Sequence, residues 1–191
     1  MSRISNTEIK KLENLYKLNK LTELEQETKK LLKIESNNIV LLNILGVIYL
    51  KKKFFKEAES IFKKILNKNS RDKNALKNLG ETYRRNKKFT NAIKYYVLYL
   101  SINPNDNEVI NNLAICYQKN KRYEEAVNHY RNLTKKNPND YEYLTNLATA
   151  LIESLNFKEG MQILEKLLDK NINNRRALSG YLFNQNYNPK I

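Results

Sequence analysis

A step of 34 residues maps much of the chain onto itself. Between Lys73 and Asp106 stand Leu76, Leu79, Gly80, Tyr83, Phe89, Ala92, Tyr96, Tyr99 and Pro104. One step later come Ile110, Leu113, Ala114, Tyr117, Tyr123, Ala126, Tyr130, Leu133 and Pro138. Large, small, aromatic and helix-breaking residues return in the same order. A fixed period of this size marks an array of units, each burying against its neighbour a face it cannot bury alone. Within segment 39–72, Leu42, Leu45, Gly46 and Tyr49 have the spacing of one helix face, and Phe55, Ala58, Phe62 and Ile65 repeat that spacing on a second helix. The breaks recur as well, at Asn103-Pro104-Asn105-Asp106 and Asn137-Pro138-Asn139-Asp140. Proline cannot continue a helix, and Asn and Asp suit both the turn and the next N-cap. Four glycines and three prolines among 191 residues favour long helices with short turns over a sheet.

This length and this order of residues resemble the tetratricopeptide repeat family over most of the chain. The resemblance implies an all-α, right-handed superhelical solenoid of antiparallel helix pairs, with about five repeats and a C-terminal half repeat. Residues 1–38 read as a degenerate capping repeat, with Leu15, Leu21, Leu24 and Leu31 at the expected places and Lys11 where later units carry leucine. Four repeats follow at 39–72, 73–106, 107–140 and 141–174, then a helix and tail at 175–191. Gly46 and Gly80 recur as Ala114 and Ala148, and Ala58, Ala92 and Ala126 recur as Gly160, so small residues let the paired backbones approach. The family carries glycine at the turn inside each unit, whereas this chain has Lys53, Lys87 and Lys121. A left-handed turn there would cost about 1 kcal/mol relative to glycine.

The net charge of +15 invites a nucleic-acid or membrane reading. Lysine, asparagine, isoleucine and tyrosine are abundant together, as an AT-rich coding sequence would make them, so charge alone assigns no partner. Lys17, Lys20, Lys51, Lys53, Arg85, Lys87, Lys119 and Lys121 should form a basic edge at the turns, a pattern that solvated lysines explain without a ligand. Nucleic acid and membrane are therefore disfavoured as partners. Cys116 reads as a small core residue and His129 as a surface helix position. No Gly-rich phosphate loop, metal-ligand spacing or nucleophile motif occurs, so no catalytic residue, metal or cofactor is expected. The start lacks an apolar leader, and the longest apolar run, Ile39 to Leu50, is too short to span a bilayer, which leads to the expectation of a soluble cytoplasmic protein.

The resemblance also implies that first-helix side chains not used in packing line a concave binding surface. Asn78, Asn112 and Asn146 recur there at the 34-residue step. An amide offers a donor and an acceptor, so such a row could hold the backbone of an extended peptide independently of its sequence. Asn43, Asn74, Lys77, Glu81, Glu108, Asn111, Ile115, Glu142, Thr145 and Thr149 surround the row and give a mixed polar groove. The expected partner is a peptide or protein. Some tetratricopeptide co-chaperones clamp a C-terminal carboxylate; Lys77 and Asn112 match that clamp, but Glu81, Glu142 and Asn146 replace the rest, and two acids would repel a carboxylate. The ending from Ser179 to Pro189 resembles the connector that follows the repeats in bacterial relatives of the O-linked N-acetylglucosamine transferase. That likeness implies a substrate-recruiting arm whose catalytic part is absent. Phe183, Tyr187 and Ile191, without a polar cap, suggest a chain cut from, or packed against, something larger, and this unfinished C-terminal end could also mediate homo-oligomerisation.

Overall fold

Asn38, Asp72, Asp106 and Asp140, one step apart, each begin a helix in the same way. Each side chain accepts a backbone N–H three residues on, from Leu41 at 3.2 Å, Ala75 at 2.8 Å, Val109 at 3.1 Å and Tyr143 at 3.1 Å. These short oxygens satisfy an N–H that the helix itself leaves without a partner. Ser5 does the same for the first helix, with Glu8 closing a capping box. The computed structural model describes residues 4–169. Among these, ten helices and no strand are found: α1 Asn6–Lys17, α2 Leu21–Ile34, α3 Ile39–Lys51, α4 Phe55–Lys68, α5 Lys73–Arg85, α6 Phe89–Leu100, α7 Asn107–Lys119, α8 Tyr123–Lys136, α9 Tyr141–Glu153 and α10 Phe157–Asp169. The fold is thus an all-α array of helix pairs, as the periodicity predicts. The expected half repeat and the transferase-like connector lie outside the described residues.

Each pair is joined by a left-handed corner. Asn19, Lys53, Lys87, Lys121 and Leu155, again at the 34-residue step, have φ of 55°, 63°, 58°, 60° and 69°. At each corner the next residue's N–H reaches back to a carbonyl five residues earlier, as from Phe54 to Tyr49 at 2.8 Å and from Lys88 to Tyr83 at 2.9 Å. This bond closes the first helix where glycine normally would. A side chain in that conformation costs about 1 kcal/mol or more, and the backbone bonds offset it.

Two compact units are present, Met1–Pro104 and Asn105–Ile191. In the first unit, α1 to α6 pack in chain order, and α3 also touches α5. In the second, α8 lies between α7 and α9, and α9 packs on α10.

Inside each pair, one small residue faces one large one. A Cβ built on Gly46 would lie 2.6 Å from the Phe62 ring, and one on Gly80 would lie 2.6 Å from that of Tyr96. Ala114 and Tyr130 take the same registers, as do Ala148 and Leu164, and all four are buried. The first pair inverts the arrangement. There Leu12 fills the gap and Thr28 stands at the ring's place, fully buried, its hydroxyl donating to the Leu24 carbonyl at 2.7 Å. Total volume is conserved while its owner changes, which is what a close-packed core demands.

Candidate functional site

α3 is apolar around most of its circumference. One side, with Leu41, Leu42, Leu45 and Ile48, is buried in the core. Val40, Ile44 and Val47 face a groove instead, together with Ile9, Leu12 and Tyr16 of α1. This groove of about 420 Å³ lies wholly within the first unit. Val40 is 55% exposed and Tyr16 44%. Asn43, Asn74 and Asn78 supply the polar part of the wall, with Glu13 and Lys17 near the end of α1. The Asn43 Oδ1 atom is buried and, among the described residues, accepts no hydrogen bond. An amide oxygen without a donor is costly, and turning the half-buried Asn43 amide toward the groove would let that oxygen accept an N–H.

The sequence predicts a mixed polar groove, and the first unit instead presents an apolar one with three amides. The asparagine row explains part of the difference. One step before Asn78 stands Ile44, so the row turns apolar there, and Asn43 occupies the register of Lys77. Val40, Ile44 and Val47 were legible as groove residues through one signal, whereas Ile9 and Tyr16 on the largely polar α1 gave none. A helix apolar on every side must either be buried all round or show an apolar face to something else.

The remaining predicted residues divide between the units. In the first, Lys77 is half-buried and Glu81 is drawn into an internal cluster. The Glu81 carboxylate accepts from Arg84 at 2.8 Å, from Arg85 at 2.6 Å and from the Tyr96 hydroxyl at 2.8 Å. Burial would raise its pKa, but the two guanidinium groups and the hydroxyl outweigh it and hold the carboxyl below its ordinary value. In the second unit, Asn111 and Asn112 are half-buried on α7, and Asn146 on α9 is only 9% exposed. The Asn146 amide donates to Asn111 Oδ1 at 3.3 Å, so these two bond sideways to each other. Thr145 is buried and donates to the Tyr141 carbonyl at 2.7 Å; Thr149 is exposed and donates to the Thr145 carbonyl at 2.9 Å. Glu108 and Glu142 remain exposed on the first turns of α7 and α9, and Ile115 is half-buried.

His129 departs from the surface position expected of it. It is half-buried, with its ring stacked on Tyr117 at 5.5 Å and 11°. Burial lowers its pKa, against an opposing pull from Glu125. Cys116 is fully buried, as its place among packing residues predicts. Among the described residues, no cluster of His, Cys, Asp or Glu could hold a metal, and no helix is long and apolar enough to cross a membrane.

A family model for the N-terminal TPR repeats region of Psidin matches residues 52–178, more than half of the chain. Solved structures share the fold at low identity. A tetratricopeptide repeat protein from Parabacteroides merdae has a TM-score of 0.81 at 19% identity, over 92% of this chain and 70% of that one. YrrB, described as a TPR protein with an unusual peptide-binding site, gives 0.80 at 20%, over 93% and 91%. MamA from Desulfovibrio magneticus RS-1 gives 0.79 at 15%, over 85% and 92%. No curated protein matches in sequence.

Proposed function

The chain belongs to the tetratricopeptide proteins of the Psidin N-terminal repeat family, and from that premise we propose that it is a protein-interaction scaffold. Its first unit takes an extended segment of a partner in the groove between α1, α3 and α5. Apolar partner side chains enter between Ile9, Val40, Ile44 and Val47, and the amides of Asn43, Asn74 and Asn78 bond the partner's backbone. The Asn43 Oδ1, without a donor among the described residues, carries this reading, because rotation of its amide toward the groove would let a partner's N–H satisfy it. A neighbour of the same fold, YrrB, is a peptide binder by description, which supports the class.

In the second unit, Asn112 on α7 is the row member for which the reading is simplest, since Asn146 is engaged with Asn111. Lys77 on α5, Glu108 on α7 and Glu142 on α9 bias which partner side chains are accepted within their own units. Glu81 acts on the groove only indirectly, through Arg84 and Arg85.

The test is a selection of peptides from a random library on the full chain, followed by titration of the best binder. Changing Asn43, Asn74 and Asn78 together to alanine should weaken that peptide by tenfold or more while circular dichroism and melting stay close to wild type. Each lost hydrogen bond to backbone is worth about 1 kcal/mol. Failure to select any peptide, or a selected peptide indifferent to the triple change, would refute the groove.

A further inference from the structure

The charge is not spread evenly. Met1–Pro104 holds 23 Lys and Arg against 10 Asp and Glu, whereas Asn105–Ile191 holds 12 against 10. A compositional drift toward lysine would not stop at a unit boundary. Much of the excess sits at the three corners of the first unit, Lys17-Leu18-Asn19-Lys20, Lys51-Lys52-Lys53-Phe54 and Arg85-Asn86-Lys87-Lys88. Neighbouring corners are within a side chain of each other. The Lys51 ammonium lies 4.0 Å over the Tyr16 ring, Lys52 pairs with Glu25 of α2, and Lys88 reaches to 4.0 Å from Glu59 of α4.

Two properties of this edge go beyond solvated turns. Lys17, Lys53 and Lys87 are exposed and take part in no ion pair among the described residues. Beside them two apolar side chains stand in water, Leu18 at 59% and Phe54 at 49% exposure. The corners of the second unit lack this combination, since Lys121 is followed by Arg122 and the last corner carries Leu155 between Ser154 and Asn156.

We propose that the corner edge of the first unit docks onto an anionic lipid surface. The lysines sit over the headgroups, and Leu18 and Phe54 enter the boundary of the acyl chains. Basic side chains combined with a few insertable apolar ones make a surface that lies in the interface without crossing it. The charge is almost all lysine, a point charge suited to diffuse attraction, while the one arginine, Arg85, is held by Glu81. An acidic protein or a nucleic acid would be attracted by charge alone and would leave an aliphatic tip such as Leu18 without a role.

The left-handed corners make the test separable from folding. Glycine at Lys53 or Lys87 relieves a positive φ, so the variant should melt higher than wild type even as it loses charge. The measurement is cosedimentation of the full chain with vesicles of phosphatidylcholine containing about one-third phosphatidylserine, against phosphatidylcholine alone. The mixed vesicles should bind at least tenfold more protein. The K53G/K87G pair should melt higher yet bind about twenty-fivefold more weakly, at roughly fivefold per lysine. K121G in the second unit should melt higher and bind as wild type, and L18S/F54S should bind several-fold more weakly with the salt dependence unchanged. Equal binding to both vesicles, no binding, full binding by K53G/K87G or L18S/F54S, or K121G matching the loss would overturn the proposal. So would polyglutamate or RNA capturing the protein more strongly than the vesicles do.

Discussion

The two units solve the same contact differently. Where a second helix meets the first helix of the next pair, the first unit uses carboxylates. Glu25 joins Lys29 and Lys52, and Glu59 joins Lys63 at 2.7 Å and the Tyr83 hydroxyl at 2.8 Å. In the second unit Val127 stands buried on α8 three steps after Glu25, and Leu151 is buried where Tyr49 and Tyr83 stood. The second unit keeps its polar ties at the margin, between Gln118 and Glu153 at 2.6 Å and between Arg131 and Glu159 at 2.8 Å. Register therefore fixes which residues meet, but not whether they meet as ions or as hydrocarbon. Ion pairs at such a half-covered surface contribute about 1 kcal/mol or less, while buried branched side chains contribute more.

The ring-and-gap pairs break the comparison most strongly. Phe62→Ala should destabilise by about 3–5 kcal/mol in urea unfolding, because the ring is fully buried over Gly46 and nothing flexible fills its place. Its counterpart Leu164→Ala should cost less, about 2–4 kcal/mol, since Ala148 already occupies part of the gap. Equal losses would show that the two units pack alike in spite of the exchange. Gly80→Ala comes next. The added methyl presses on the Tyr96 ring, whose hydroxyl is anchored by Glu81, and the strain should exceed the gain in helix propensity by about 1 kcal/mol. In the second unit Tyr130 accepts Ala114 in the same register and bonds Gln118 instead, so Ala114→Gly should also destabilise, by about 1 kcal/mol.

Acid should sharpen the contrast further. Glu81, Glu59 and Glu25 have lowered pKa values, so the stability they supply is present above the ordinary carboxylate value and lost as pH falls through their folded values. Glu81→Gln should flatten that loss. His129 in the second unit acts at higher pH. Its folded pKa is below the ordinary 6.5, so the unfolded chain takes up the proton first and stability declines as pH drops below about 6.5. His129→Phe should remove that decline while keeping the stack on Tyr117. Melting curves from pH 7 down to about pH 2 check both.

The fold was legible because each unit states it again. The caps at Asn38, Asp72, Asp106 and Asp140, the small residues at Gly46 and Gly80 and the aromatic places agree with one another, so local and long-range signals coincide. The site was less legible. Asn78, Asn112 and Asn146 share a register, yet the amide of Asn146 turns toward Asn111, and no spacing rule says which partner an amide will choose. The apolar wall was written in α3, but a continuous apolar run does not reveal which of its sides meets the core. The lysines at the corners could be placed, while the left-handed φ of Lys53, Lys87 and Lys121 was only a conditional expectation. Lysine gives no sign of such a conformation, as glycine would.

Gly46 with Phe62, and Gly80 with Tyr96, are matched inside one 34-residue repeat, whereas Glu59 with Tyr83 joins two consecutive repeats. Exchanging a whole 34-residue module carries each spacer together with the bulk that fills it. Cutting at a left-handed corner separates them and leaves either a hole or a collision. Segments joined at the capped turns are thus interchangeable parts, and segments joined at the corners are not.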